Sequence, residues 1–74
     1  MNLSQLTFNK KAKIIQVNCD KKIKERLYDM GLYEGEQVVL IRRAPLNDPL
    51  EIKVKDFYLA MRVCDAKKIL VEYL

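Results

Sequence analysis

The stretch Leu50-Glu51-Ile52-Lys53-Val54-Lys55 decides the fold of this chain. Apolar and charged residues alternate through it without a break, with Leu50, Ile52 and Val54 on one side and Glu51, Lys53 and Lys55 on the other. Successive side chains of an extended backbone leave on opposite faces, so this pattern predicts a strand with one face buried. Asp56 marks a turn, and Phe57 to Arg62 is expected to pair back as a hairpin.

Upstream, Glu36 to Arg43 contains the run Val38-Val39-Leu40-Ile41, which predicts a strand covered at least partly on both faces. Ala12 to Val17, with Ile14, Ile15 and Val17, reads as the first full strand, because β-branched residues suit a pleated, half-buried surface. Downstream, Asp65-Ala66-Lys67 reads as a brief turn or one turn of tight helix. Lys68 to Tyr73 closes the order as a strand built on Ile69 and Val71. The first eleven residues form an entry segment with Leu3, Leu6 and Phe8 as apolar pegs, and Leu3-Ser4-Gln5-Leu6 as a single turn or a short edge strand.

One segment departs from the strand pattern. Asp20 offers a side-chain acceptor for a free backbone N–H at a helix start. Ile23, Leu27 and Met30 then recur at spacings of four and three, on one helical face. Gly31 follows where a left-handed residue closes a helix. A helix over Lys21 to Met30 is expected, with Met30 and the following Leu32 in the core. The order is strand, helix, then four strands joined by short turns. No helix follows Arg43, which argues against a doubly wound parallel sheet. Short antiparallel strands avoid exposed edges best by curling up. The fold expected is mainly β: a small barrel with one short α-helix between the first strand and the rest.

Length and composition agree. The 74 residues make one domain, residues 1–74, and a domain of that size buries roughly 60% of the surface its unfolded chain exposes. Half the residues are hydrophobic, 32% are charged and only 2 are glycine, a balance that a disordered chain lacks. The longest uncharged apolar run is Phe57 to Met61, far short of the roughly 20 residues of a spanning helix. Residues Met1 to Lys11 show no basic start followed by an apolar block, so no secretory signal is read and the cytosol is the expected compartment. Cys19 and Cys64 suit it as two reduced thiols, without C-x-x-C spacing and without a histidine to complete a metal set.

The same inventory argues against catalysis. There is no histidine, and Ser4 and Thr7 are the only hydroxyl residues outside the tyrosines. No nucleophile–base arrangement of the Ser-His-Asp or Cys-His kind can be assembled. Gly31 and Gly35 are the only glycines, and neither opens a helix followed by Lys-Ser or Lys-Thr, so no phosphate loop is read. No cofactor is expected, and iron is a poor candidate ligand for a chain lacking imidazole and clustered carboxylates. The charge, +4 overall, is concentrated from Lys10 to Arg26, where seven basic residues face Asp20 and Glu25. That segment is either a solvated face or a patch for an anionic partner.

Arg26-Leu27-Tyr28-Asp29-Met30-Gly31-Leu32-Tyr33-Glu34-Gly35 is similar to the helix end followed by Gly-Leu-x-x-Gly of the FeoA family, and the resemblance to that family continues from there onward. Arg42-Arg43-Ala44-Pro45-Leu46-Asn47-Asp48-Pro49 resembles its Arg-Arg-Ala-Pro-Leu-Gly-Asp-Pro stretch in all but one position. Leu59-Ala60-Met61-Arg62, then Ala66, Ile69 and Val71, look like its closing strands, and Leu3-Ser4-Gln5-Leu6 like its opening. Asn47 and Asp56 stand where the family favours glycine; both types tolerate a left-handed backbone. Phe8-Asn9-Lys10-Lys11 replaces the family's usual Pro-Gly turn.

The resemblance implies an SH3-like β-barrel, a protein without enzymatic activity that accompanies ferrous iron transport. Its implied partner is a FeoB-like membrane transporter with a GTPase domain, and a third small Feo protein is a further candidate. Direct membrane insertion is not implied. Contact residues are sought where Pro45 and Pro49 restrict the backbone around Leu46, Asn47 and Asp48. Leu46 either meets a partner or folds back over the barrel mouth. Arg42 and Arg43, on opposite faces of a strand end, offer one arginine to bridge Asp48 and one to meet a partner. Tyr33, in a turn between Leu32 and Glu34, is the remaining surface candidate. Two other functions stay open: a nucleic-acid-binding barrel, and a stand-alone regulatory barrel of a repressor-like system. Nucleic acid is disfavoured because the basic segment holds no aromatic residue on which a base could stack.

Overall fold

The computed structural model describes residues 1–74. A 3-10 helix spans Leu3–Gln5, followed by β1 (Lys11–Val17), α1 (Lys21–Asp29), β2 (Gln37–Arg43), β3 (Leu50–Val54), β4 (Phe57–Met61), α2 (Val63–Ala66) and β5 (Ile69–Tyr73). The five strands form one antiparallel sheet in the order β4-β3-β2-β1-β5. All sixteen buried residues are apolar and form one cluster on the inner face of that sheet.

The alternation that predicted β3 is its burial pattern: Leu50, Ile52 and Val54 are fully buried. Curvature comes from two interruptions of the ladder. The register shifts between Leu40 and Arg42 on β2, and between Ile14 and Gln16 on β1. An extra residue in one strand bends it and raises its twist. It also resets the alternation, which is why Ala12, Ile14 and Val17 are buried while Ile15 points outward. The curled sheet is the small barrel the strand pattern predicts, and its seam stays open between β4 and β5. On the β5 side the entry segment covers the edge: Asn2 bridges Leu70, and the Val71 N–H donates to the Met1 carbonyl at 2.9 Å. The outer edge of β4 has no strand beside it.

Helix α1 begins and ends as its sequence predicts. The Asp20 carboxylate accepts from the Ile23 N–H at 3.0 Å. At the other end Gly31 takes φ +92°, its N–H donates to the Tyr28 carbonyl, and the Leu32 N–H reaches back to the Leu27 carbonyl at 2.8 Å. That double bond pattern satisfies carbonyls the helix would otherwise leave free, and it buries Leu32. Leu27 is buried and Ile23 half-buried. Met30, expected in the core, is instead 36% exposed. It is the C-cap residue, so its side chain sits where the helix has already left the sheet.

Three further expectations change. Leu3 and Leu6 are buried pegs, but Phe8 is 49% exposed, because the chain reverses at Asn9 (φ +64°) before entering β1. The brief turn or single turn of tight helix expected at Asp65 to Lys67 is the short α-helix α2, and it starts two residues earlier, at Val63. In the β3–β4 hairpin the left-handed residue is Lys55 (φ +54°), not Asp56. Val54 pairs with Phe57, so the connection is two residues long, and such hairpins require positive φ at the first of them.

Candidate functional site

The loop after β2 is built by its own sequence. Pro45, with φ preset, occupies the second position of a turn in which the Asn47 N–H donates to the Ala44 carbonyl at 2.7 Å. Asn47 then takes φ +65°, the left-handed conformation expected where a glycine is common. The Ala44 N–H closes the loop on the Pro49 carbonyl at 3.0 Å, and the Asp48–Pro49 peptide is cis. Between these bonds Leu46 stands 89% exposed. It does not fold back over the barrel.

The roots of the loop are tied to other parts of the molecule. The Asp48 carboxylate accepts from the Val63 N–H at 3.1 Å, at the start of α2, and lies 4.0 Å from the Arg62 guanidinium. Neither Arg42 nor Arg43 bridges Asp48, contrary to expectation. Arg42 makes a forked contact with Glu51 on β3, at 3.0 and 3.3 Å. Arg43 is half-buried and donates to the Ser4 carbonyl, which clamps the 3-10 helix to the end of β2. The cause is the bulge after Leu40: it turns Arg42 toward Glu51, its partner in the register, and Arg43 toward the entry segment. Arg42, Arg43, Pro45, Pro49, Leu50 and Ala60 help to line a shallow depression of about 360 Å³ beside the exposed leucine.

Tyr33 does not belong to this group. It precedes β2, whereas the loop follows it, and its hydroxyl accepts from Lys55 Nζ at 2.9 Å in the β3–β4 hairpin. That hydrogen bond, with Glu36 at 3.6 Å, raises the Lys55 ammonium above the ordinary lysine range. Of the residues singled out in the sequence, those from Arg42 to Pro49 therefore cluster and Tyr33 stands apart. Arg62 and Val63, which hold Asp48, had no local signal in the sequence. Their contact depends on how β4 returns past the loop.

The thiols differ in setting. Cys19 is half-buried, and burial, with Asp65 nearby, pushes its thiol above the ordinary range. Cys64 is exposed. No three His, Cys, Asp or Glu side chains gather as a metal-holding group. No helix is long and apolar enough to cross a membrane.

The FeoA domain model matches residues 1–73. The chain belongs to the FeoA family. The same assignment follows from solved structures: the solution structure of FeoA from Chlorobium tepidum superposes with a TM-score of 0.95 at 35% identity, over 100% of this chain and 70% of that one. The crystal structure of Stenotrophomonas maltophilia FeoA complexed with zinc, described as a prokaryotic SH3 domain protein, gives a TM-score of 0.84 at 29% identity. That match covers 97% of this chain and 89% of the other, so the FeoA barrel described above is SH3-like. Among curated proteins, the Fe(2+) transport protein A/Fe(2+) transporter FeoB fusion protein of Porphyromonas gingivalis is 33% identical over 72 residues. The chain accounts for 97% of itself in that match and spans 8% of the fusion protein.

Proposed function

We propose that this FeoA protein is a non-catalytic accessory of ferrous iron uptake that contacts a FeoB-type transporter through the Ala44–Pro49 loop, in the cytoplasm. The observation that carries the reading is the placement of Leu46: an apolar side chain 89% exposed on a loop whose backbone is held at both roots. An apolar anchor on an ordered loop binds without first giving up much conformational freedom. Interfaces concentrate their energy in a few such anchors with polar residues around them. Arg42, Arg43 and Asp48 supply the polar surround, although their side chains also have partners within the molecule. The fusion of an FeoA-like segment to a FeoB transporter in Porphyromonas gingivalis supports the choice of partner, because joining two chains raises their effective concentration for each other.

The test is binding to the FeoB-like transporter of the same organism in nanodiscs, with and without guanine nucleotide. Saturable binding that Leu46→Asp weakens at least about tenfold is expected, since the change would place a charge against a desolvated patch. Saturable binding unaffected by Leu46→Asp discards the loop as the contact. No binding in any nucleotide state at high micromolar concentration discards the transporter reading.

A further inference from the structure

We infer that the groove between β4 and α1 is a docking site for an extended acidic peptide that adds as a further strand to the free edge of β4. The inference stands apart from the Leu46 loop and from the identity of any transporter.

The edge comes first. Residues Lys55 and Asp56 form a two-residue connection, so the Val54–Phe57 pair next to it exchanges hydrogen bonds across the hairpin. Alternation then directs the backbone groups of Leu59 and Met61 toward β3. Those of Tyr58 and Ala60 point away from the sheet, where no backbone or side-chain group of the protein meets them. Sheet edges of this kind are what an added strand recognises. The molecule already covers its other edge in this manner, with Met1 and Asn2 against β5.

The groove lies directly beside that edge. It has a volume of about 270 Å³ and is walled by Ile23, Leu27 and Met30 of the helix side and by Leu59 and Met61 of β4. The spacing of the helical residues presents one apolar stripe along the groove. Two of its walls carry methionine, whose flexible side chain adapts to varied apolar groups. A strand laid on β4 would send every second side chain toward this stripe.

Charge selects the occupant. Arg26 and Arg62 line the groove against a single acid, Asp65. Arg26 makes no ion pair, and the Arg62 side chain, 4.0 Å from Asp48, is still 71% exposed. The fitting partner is therefore an extended segment whose groove-facing side chains, every second residue, include apolar groups for the stripe and a glutamate or aspartate for the two arginines. Basic segments are rejected by the two arginines.

The experiment titrates the full-length, isotope-labelled protein with a capped peptide in which every second residue is valine or glutamate in turn, with threonine between them. The same peptide with lysine for glutamate, and one N-methylated on the amides that would pair, serve as comparisons. Expected are amide shifts along β4 and the C-terminal half of α1, slowed hydrogen exchange at Tyr58 and Ala60, and binding about tenfold weaker for the lysine and N-methylated peptides. Arg26→Glu, a change at an exposed position, is expected to weaken the acidic peptide by a similar factor. Equal binding of all three peptides, shifts confined to the Ala44–Pro49 loop, or no response at millimolar peptide would each overturn the assignment.

Discussion

The carboxylate of Asp48 and the backbone N–H of Val63 are joined by a hydrogen bond of 3.1 Å that spans 15 residues of chain. One end lies in the loop that exposes Leu46, the other at the first turn of α2. The bond caps a helix start from a distance and holds the loop down at the same time. Asp48→Ala should therefore cost about 1 kcal/mol, the ordinary net worth of one hydrogen bond. It should also speed amide exchange at Asn47. Asp48→Asn retains an acceptor and should recover most of the loss. Urea unfolding with an unchanged slope and a lowered midpoint is the reading that agrees; an unaltered midpoint and exchange rate in Asp48→Ala would show that the bond holds nothing.

Gly31 closes α1 at φ +92°. A built Cβ there would meet Val54 at 3.7 Å and Phe57 at 3.8 Å, ordinary contact distances, so space is not the constraint. The cost of Gly31→Ala is conformational, of order 1–2 kcal/mol for an L-residue forced into the left-handed region. Chemical denaturation should show that loss while the fold, followed by amide chemical shifts, stays the same.

The Tyr28 hydroxyl donates to both oxygens of Glu34, at 2.7 and 3.0 Å. This hydrogen bond holds the Glu34 carboxyl below the ordinary glutamate value of 4.5 and raises the Tyr28 hydroxyl above its ordinary 10.0. A depressed folded-state acid stabilises above its unfolded value, and that contribution fades as pH falls through the folded one. A raised tyrosine acts in the opposite sense: its contribution is complete below its unfolded value and fades as pH rises through the folded one. The pair should thus support the fold between those limits and release it on either side. Carbon-detected titration of Glu34 should give a midpoint below 4.5 that Tyr28→Phe moves back toward it. An unmoved midpoint would remove the hydrogen bond as the cause.

Much of the architecture was legible because its causes are local. The alternation from Leu50 to Val54 needs only the period of an extended chain. Asp20 and Gly31 bound α1 through hydrogen bonds that reach only a few residues. The left-handed turn at Asn47 was legible from the glycine that the FeoA family favours there, together with the tolerance of asparagine for that backbone. Even the order of elements, a helix after the first strand and none of comparable length after the second, was enough to choose a curled antiparallel sheet over a parallel one.

The placement of side chains between distant segments was not legible. Arg43 clamps Ser4, 39 residues away, and Asp48 meets Val63 rather than either arginine. Both outcomes depend on a bulge between Leu40 and Arg42 that no residue type announces. Met30 has the spacing of a core residue, yet it leaves the core because the helix ends on it. Tyr33 and the Leu46 loop looked alike as exposed turns, and β2 carries them to opposite ends of the sheet. The sequence by itself determined the periods, caps and turns, since each is a contest between conformations of a few neighbouring residues. Tertiary structure alone decided which edge of the sheet stays open and which residues share a surface, because register and curvature set the distances between segments that the chain order leaves free.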